Sequence, residues 1–209
     1  MNTELKIGLF GGSFDPVHAG HLLVAQAAVE ELGLTRLFFI PAAQSPFKPE
    51  NKPAPAPERL RLLRLALAGN ASLEIDTQEI KRGGISFTVY TLRDYARRFP
   101  QAELFYLIGA DNVPQLPKWR EAEELARLAE FVAIPRPGDT VWSSGFSRSG
   151  PPKGGTPNFP PPFRGRTFTG FPFGVSSSQV RERVKAGLPI DYLVPTPVAE
   201  AIRNNQLYL

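Results

Sequence analysis

The 209-residue sequence has no cysteine, which excludes a disulfide framework, a thiolate metal site and a thiol nucleophile. It has only two histidines, His18 and His21, so a histidine-rich metal centre is excluded as well. No apolar run reaches the roughly 18 to 20 residues that cross a bilayer, and Met1–Leu9 lacks signal-peptide anatomy. A cytoplasmic protein with no membrane partner is expected. There is also no block of one charge. The 24 basic and 20 acidic residues leave a net charge of +4, and they interleave, as in Glu58–Arg64 and Arg120–Arg127. That is the pattern of solvated helix faces, so the pI near 9.5 does not make nucleic acid an expected partner.

The hydrophobic fraction of 42% and charged fraction of 21% are those of a globular chain. Its length suits a single domain, 1–209, with a core that needs neither disulfide nor structural metal. Leu5–Phe10 is a short apolar run ending at Gly11-Gly12. Beyond it Leu22, Ala25, Val29 and Leu32 recur at helical spacing, and Gly33 closes the helix. Arg36–Ile40 is a second strand, stopped by Pro41. This βαβ unit implies parallel strands with a right-handed crossover.

Residues 41–57 read as a proline-bearing loop beside the end of that strand, where α/β sheets bind ligands. Helices are expected over Glu58–Ala68, Thr88–Phe99, Glu121–Leu128, Val180–Ala186 and Val198–Asn204. Strands are expected over Leu73–Asp76, Glu103–Ile108 and Phe131–Ile134. The alternation predicts an α/β, doubly wound parallel sheet of Rossmann-like type with C-terminal helices. Between Pro135 and Pro172 the texture turns to Gly, Pro, Ser and Phe, and an irregular insertion at about 138–165 is expected, with a strand only near Arg166–Phe168.

The segment GGSFDPVHAGH at 11–21 lies between the first strand and the first helix. Gly11 and Gly12 permit close backbone approach, so amides through Ser13 and Phe14 can reach phosphate oxygens at the positive end of the helix. His18 and His21, three residues apart, turn both rings to one side. Facing a polyphosphate, they can donate hydrogen bonds to oxygens whose charge grows during reaction. The other reading, metal ligation, would need carboxylates such as Asp15 to complete the set. Further on, Val175-Ser176-Ser177-Ser178-Gln179-Val180-Arg181 opens a late helix. There Ser176 can cap, the amides of Ser177 and Ser178 can hold phosphate, and Arg181 can reach the same anion.

These two segments resemble the (T/H)xGH and ISSTxxR signatures of the adenylyltransferase and cytidylyltransferase superfamily. Within it the chain is similar to bacterial nicotinate-nucleotide adenylyltransferases over nearly its whole length. The strings carrying that likeness are IPAAQSPFKP at 40–49, RGGISFTVYTL at 82–92, LIGADNVPQLPKW at 107–119, IPRPG at 134–138 and the C-terminal VPTPVAEAIRNNQLY. The sequence departs from that pattern at Ala42-Ala43, at Phe47 and in the Gly/Pro-rich insertion.

The resemblance implies an enzyme that joins the AMP part of ATP to nicotinate mononucleotide and releases pyrophosphate. Catalysis would fall to His18, His21 and Arg181, and Mg²⁺ would be bound through the ATP phosphates, with no protein metal site. It also implies that Trp119 lies against the pyridine ring, Thr88 near the nicotinate carboxylate, Asp111 at a ribose, and Lys48 and Arg136 at the mononucleotide phosphate. The residues by themselves also allow core packing for Trp119, helix capping for Thr88 and Asp111, and surface charge for Lys48 and Arg136. A homodimer is compatible with the resemblance. The rival readings are a pantetheine-phosphate or other small-phosphate nucleotidyltransferase, and a nucleotide-sensing or RNA-binding module on the same fold.

Overall fold

The computed structural model describes residues 5–46, 53–135, 158–167, 170 and 174–209. Its centre is a parallel six-stranded sheet. The strands are β1 (Lys6–Gly12), β2 (Arg36–Pro41), β3 (Leu73–Ile75), β4 (Glu103–Gly109), β5 (Glu130–Ile134) and β6 (Gly165–Thr167), in the order β3-β2-β1-β4-β5-β6. The helices are α1 (Ala19–Leu32), α2 (Ala56–Leu67), α3 (Gln78–Arg82), α4 (Thr88–Arg98), α5 (Ala122–Leu128), α6 (Ser177–Lys185) and α7 (Thr196–Asn204). A 3-10 helix spans Ala110–Lys118.

The inner strands read as unbroken apolar runs because both sheet faces are covered. Phe10, Leu37, Phe39, Phe105, Leu107 and Val132 face a core closed by α1, α2, α6 and α7. Their strand neighbours Ile7, Leu9, Phe38, Ile40, Leu104, Tyr106, Ile108 and Phe131 face a second core under α4, α5 and the 3-10 helix. Strands are added outward in one direction from β1 to β3 and in the other from β4 to β6, so the crevice at the carboxyl ends of β1 and β4 is the topological switch point of the sheet. The segments that follow these strands start at Ser13 and Ala110.

Two elements are added to the expected set and two expectations are revised. The stretch after Asp76 carries the short helix α3, and the one after Gly109 the 3-10 helix, where Pro114 and Pro117 are tolerated. Gly11 and Gly12, expected beyond the first strand, are the last residues of β1, paired with Ile40 and Pro41. Residues 158–165, expected to be irregular, bring Phe163 into the core against Phe131 and lead into β6. The remainder of the expected insertion, 138–157, lies outside the described residues.

Candidate active site

At the end of β1 the two glycines make room for the protein itself. A Cβ on Gly11 would lie 2.4 Å from the Tyr106 hydroxyl, and one on Gly12 would press the Phe14 ring at 3.1 Å. The turn proper runs from Ser13 to His18, and the residue in the left-handed region is Phe14, at φ 46° and almost fully buried. Its ring packs edge-on to Phe10 and His21. The Asp15–Pro16 peptide is cis.

His18 is the N-cap of α1, and the rings of His18 and His21 stack at 3.6 Å, 23° apart. The i, i+3 spacing thus brings both imidazoles to one side. His21 Nδ1 accepts the backbone N–H of His18 at 3.2 Å, so the proton of the neutral ring is on Nε2. The Nδ1 of His18 is buried, with no hydrogen-bond partner among the described residues. Burial holds the His18 pKa down at about 4. Burial, and then the neighbouring His18, hold that of His21 well below its usual value. Near neutral pH both rings are therefore uncharged N–H donors.

The two motifs, more than 150 residues apart in sequence, are stitched together. Ser176 caps α6 and completes a capping box with Gln179, whose amide donates to Ser176 Oγ at 3.3 Å while Gln179 Oε1 accepts from Ser176 N at 2.8 Å. Ser177 Oγ donates to the Pro16 carbonyl at 2.9 Å. Arg181 donates from Nη1 to the Asp15 carbonyl at 2.6 Å and from Nη2 to Ser178 Oγ at 3.2 Å. The Ser177 and Ser178 hydroxyls are thus engaged in holding the site, and the donors these residues offer an anion are the first-turn amides, which have no carbonyl one turn back to bond. Two of the five guanidinium donors of Arg181 are used in this way.

Asp15, mostly buried, is the hub of this arrangement. Its Oδ1 accepts from Tyr208 at 2.8 Å, and its Oδ2 lies 3.8 Å from Arg181. From α2, Arg59 donates to the carbonyls of Ser13, Ala42 and Ala54. Sequence reasoning missed Arg59 and Tyr208. The signal for Arg59 was present, since it shares the buried stripe of α2 with Leu62 and Leu63 at i+3 and i+4. For Tyr208 there was none.

On the other side of the crevice, Thr88 Oγ1 donates to the Tyr106 hydroxyl at 3.3 Å, which itself lies against Gly11. Thr88 is the first helical residue of α4 and not its cap. Trp119 ends the 3-10 helix half-buried, with its ring perpendicular to those of Tyr106 and Phe131 at 6.4 and 6.2 Å. It is therefore packed at the edge of the core while keeping part of its surface exposed. Asp111 is exposed in the first turn of the 3-10 helix, just past β4. Lys48 and Arg136 lie outside the described residues.

The loop after β2 meets the segment before α4. Gln44 bridges Ile85, Ser86 N donates to Gln44 O at 2.9 Å, and Ala43 N donates to Ser86 Oγ at 3.0 Å. Among the described residues no three His, Asp or Glu side chains come together as metal ligands. Nor is any helix among them long and apolar enough to cross a membrane.

The family model for cytidylyltransferase-like proteins matches residues 9–183. A relative from Opitutus terrae, named a probable nicotinate-nucleotide adenylyltransferase, is 39% identical over 204 residues, covering 98% of both chains. The Bacillus subtilis nicotinate-nucleotide adenylyltransferase is 36% identical over 204 residues, covering 97% of this chain and 98% of its own. Among solved structures, that of the Plasmodium falciparum nicotinic acid mononucleotide adenylyltransferase complexed with NaAD superposes with a TM-score of 0.71. It is 16% identical and covers 98% of this chain and 97% of that one.

Proposed function

The chain belongs to the cytidylyltransferase-like family, among its nicotinate-nucleotide adenylyltransferases, and from that premise we infer that it transfers the adenylyl group of ATP to nicotinate mononucleotide, giving deamido-NAD and pyrophosphate. The observation that carries this reading is the joining of the histidine turn to the N-terminus of α6 through Asp15, Pro16, Ser177 and Arg181. One crevice thereby gathers imidazole, guanidinium and amide donors suited to a triphosphate.

A mononucleotide phosphate oxygen attacks the α-phosphorus of ATP in line. The bond from that phosphorus to the bridging oxygen breaks, and pyrophosphate leaves with the electron pair. The attacking phosphate is already an anion and needs no general base. His18 donates to the α-phosphate. His21, Arg181 and the amides of Gly11–Phe14, Ser177 and Ser178 take up the charge that develops on the departing pyrophosphate, while the Ser176 amide is committed to Gln179 Oε1. The low imidazole pKa values support hydrogen-bond donation by neutral rings.

Magnesium carried on the ATP phosphate oxygens would neutralise part of that charge. The donor set fits an ion that arrives with the nucleotide and not a protein cage, because Asp15, the carboxylate in the turn, is already held by Tyr208 and faces Arg181. Trp119 supplies a flat surface for the pyridine ring, Thr88 and neighbouring amides hold the carboxylate, and Asp111 holds a ribose. Lys48 and Arg136 complete this reading at the mononucleotide phosphate. With it go a single nucleotidyltransferase domain and a cytoplasmic location.

Pyrophosphate release measured in parallel with nicotinate mononucleotide, nicotinamide mononucleotide and phosphopantetheine tests the reading. The first should be the best substrate. A preference for phosphopantetheine, or release with none of the three, would overturn it.

A further inference from the structure

Arg59 is a charged residue almost wholly removed from solvent, 1% exposed, with no carboxylate within 4.0 Å among the described residues. Burying an arginine in this way is costly unless its donors are satisfied, and an apolar side chain would fill the same stripe of α2 at less expense. Its donors go to the main chain of three separate segments. Nη1 reaches the Ser13 carbonyl at 2.7 Å, Nη2 the Ala42 carbonyl at 2.9 Å and Nε the Ala54 carbonyl at 2.9 Å.

The planarity of the trans peptide turns these anchors into an aiming device, because the C=O and N–H of one peptide unit point in opposite directions. Gly12 C=O accepts the Ala42 amide at 2.9 Å, so the Ser13 N–H faces away from the β2 side. Ser13 C=O is held by Arg59, so the Phe14 N–H faces away from α2. Phe14 sits at φ 46°, a strained conformation for a bulky residue, and the turn needs an outside hold to stay there. Ala42 is gripped at both ends, its N–H by Gly12 and its C=O by Arg59. A shift in the loop after β2 is therefore transmitted to the turn after β1.

We propose that Arg59 is a positioning residue: its three-way grip on the Ser13, Ala42 and Ala54 carbonyls aims the Ser13 and Phe14 amides at the triphosphate and couples that turn to the loop after β2. The proposal rests on the reading of residues 11–18 as the ATP site. Lysine cannot replace the guanidinium here, because it keeps the charge but not the planar fork.

The test compares Arg59→Lys and Arg59→Met with the wild type. It uses kcat, the KM values for ATP and nicotinate mononucleotide, and calorimetric Kd for a non-hydrolysable ATP analogue, below the thermal transition of each protein. Both variants should raise KM and Kd for the nucleotide about tenfold or more, the equivalent of one mis-aimed donor. The mononucleotide KM should also rise, and kcat should fall less than either KM rises. A lower folded fraction alone would reduce the rate and leave KM unchanged.

A lysine variant with wild-type KM and Kd overturns the proposal. Should both variants fail to fold, the Arg59 Nε–H resonance of the wild-type protein serves instead. It should move on titration with the ATP analogue and again with nicotinate mononucleotide, and a signal indifferent to both overturns the proposal. If the wild type binds the analogue but makes no product from the mononucleotide, the enzymatic reading fails, and the Kd arm still judges Arg59.

Discussion

At the scale of single residues, the catalytic proposal depends on imidazoles that stay neutral. His18 is 6% exposed, and burial lowers its pKa from 6.5 to about 4. Between those values the unfolded chain binds a proton that the folded chain refuses, so the stability due to the buried neutral ring is complete above about pH 6.5 and is lost as the pH falls toward 4. The loss from this group is on the order of 3 kcal/mol. Urea unfolding from pH 7 to 4 should show a shallower decline for His18→Ala than for the wild type. Parallel curves would mean that His18 titrates normally in the fold. The same variant should lower kcat about 100-fold, as expected when a donor aimed at developing charge is removed.

At the scale of elements, the site depends on how closely β1 and β4 are fitted at their carboxyl ends. The hydroxyl of Tyr106 on β4 occupies the space a Cβ of Gly11 would need, and it is held there by Thr88 at the start of α4. Gly11→Ala should therefore destabilise by about 1–3 kcal/mol through overpacking. Adding Tyr106→Phe, which deletes the clashing oxygen, should recover part of that loss. A double-mutant cycle by thermal or denaturant unfolding measures the coupling, and strict additivity would show that the hydroxyl is not what keeps residue 11 a glycine.

Strands and helices with strong periodicity were legible in the sequence, as were the parallel βαβ start and the helix cap at Ser176. The 3-10 helix was not, because Pro114 and Pro117 break an α-helical ladder but are accepted in a tighter one. Nor was α3, five residues long and too short to show a period.

At the scale of the whole molecule, the site exists only when residues 11–21 and 176–181 meet, so ATP should protect both segments together. Hydrogen exchange followed with and without ATP should slow in the two at the same nucleotide concentration. Protection confined to one would show that they do not share a ligand.

By itself the sequence determined the alternation of elements, the pair of imidazoles at a helix start and the serine-arginine cap of a late helix. These are local properties, set by spacing along the chain. Only the tertiary structure decided that Arg181 grips the backbone of Asp15, that Tyr208 holds its carboxylate, and that the charge on Arg59 is spent inside the molecule on three carbonyls. Such contacts join residues up to 193 positions apart and follow no periodicity, because what selects them is the set of polar groups that the folded crevice leaves to be satisfied.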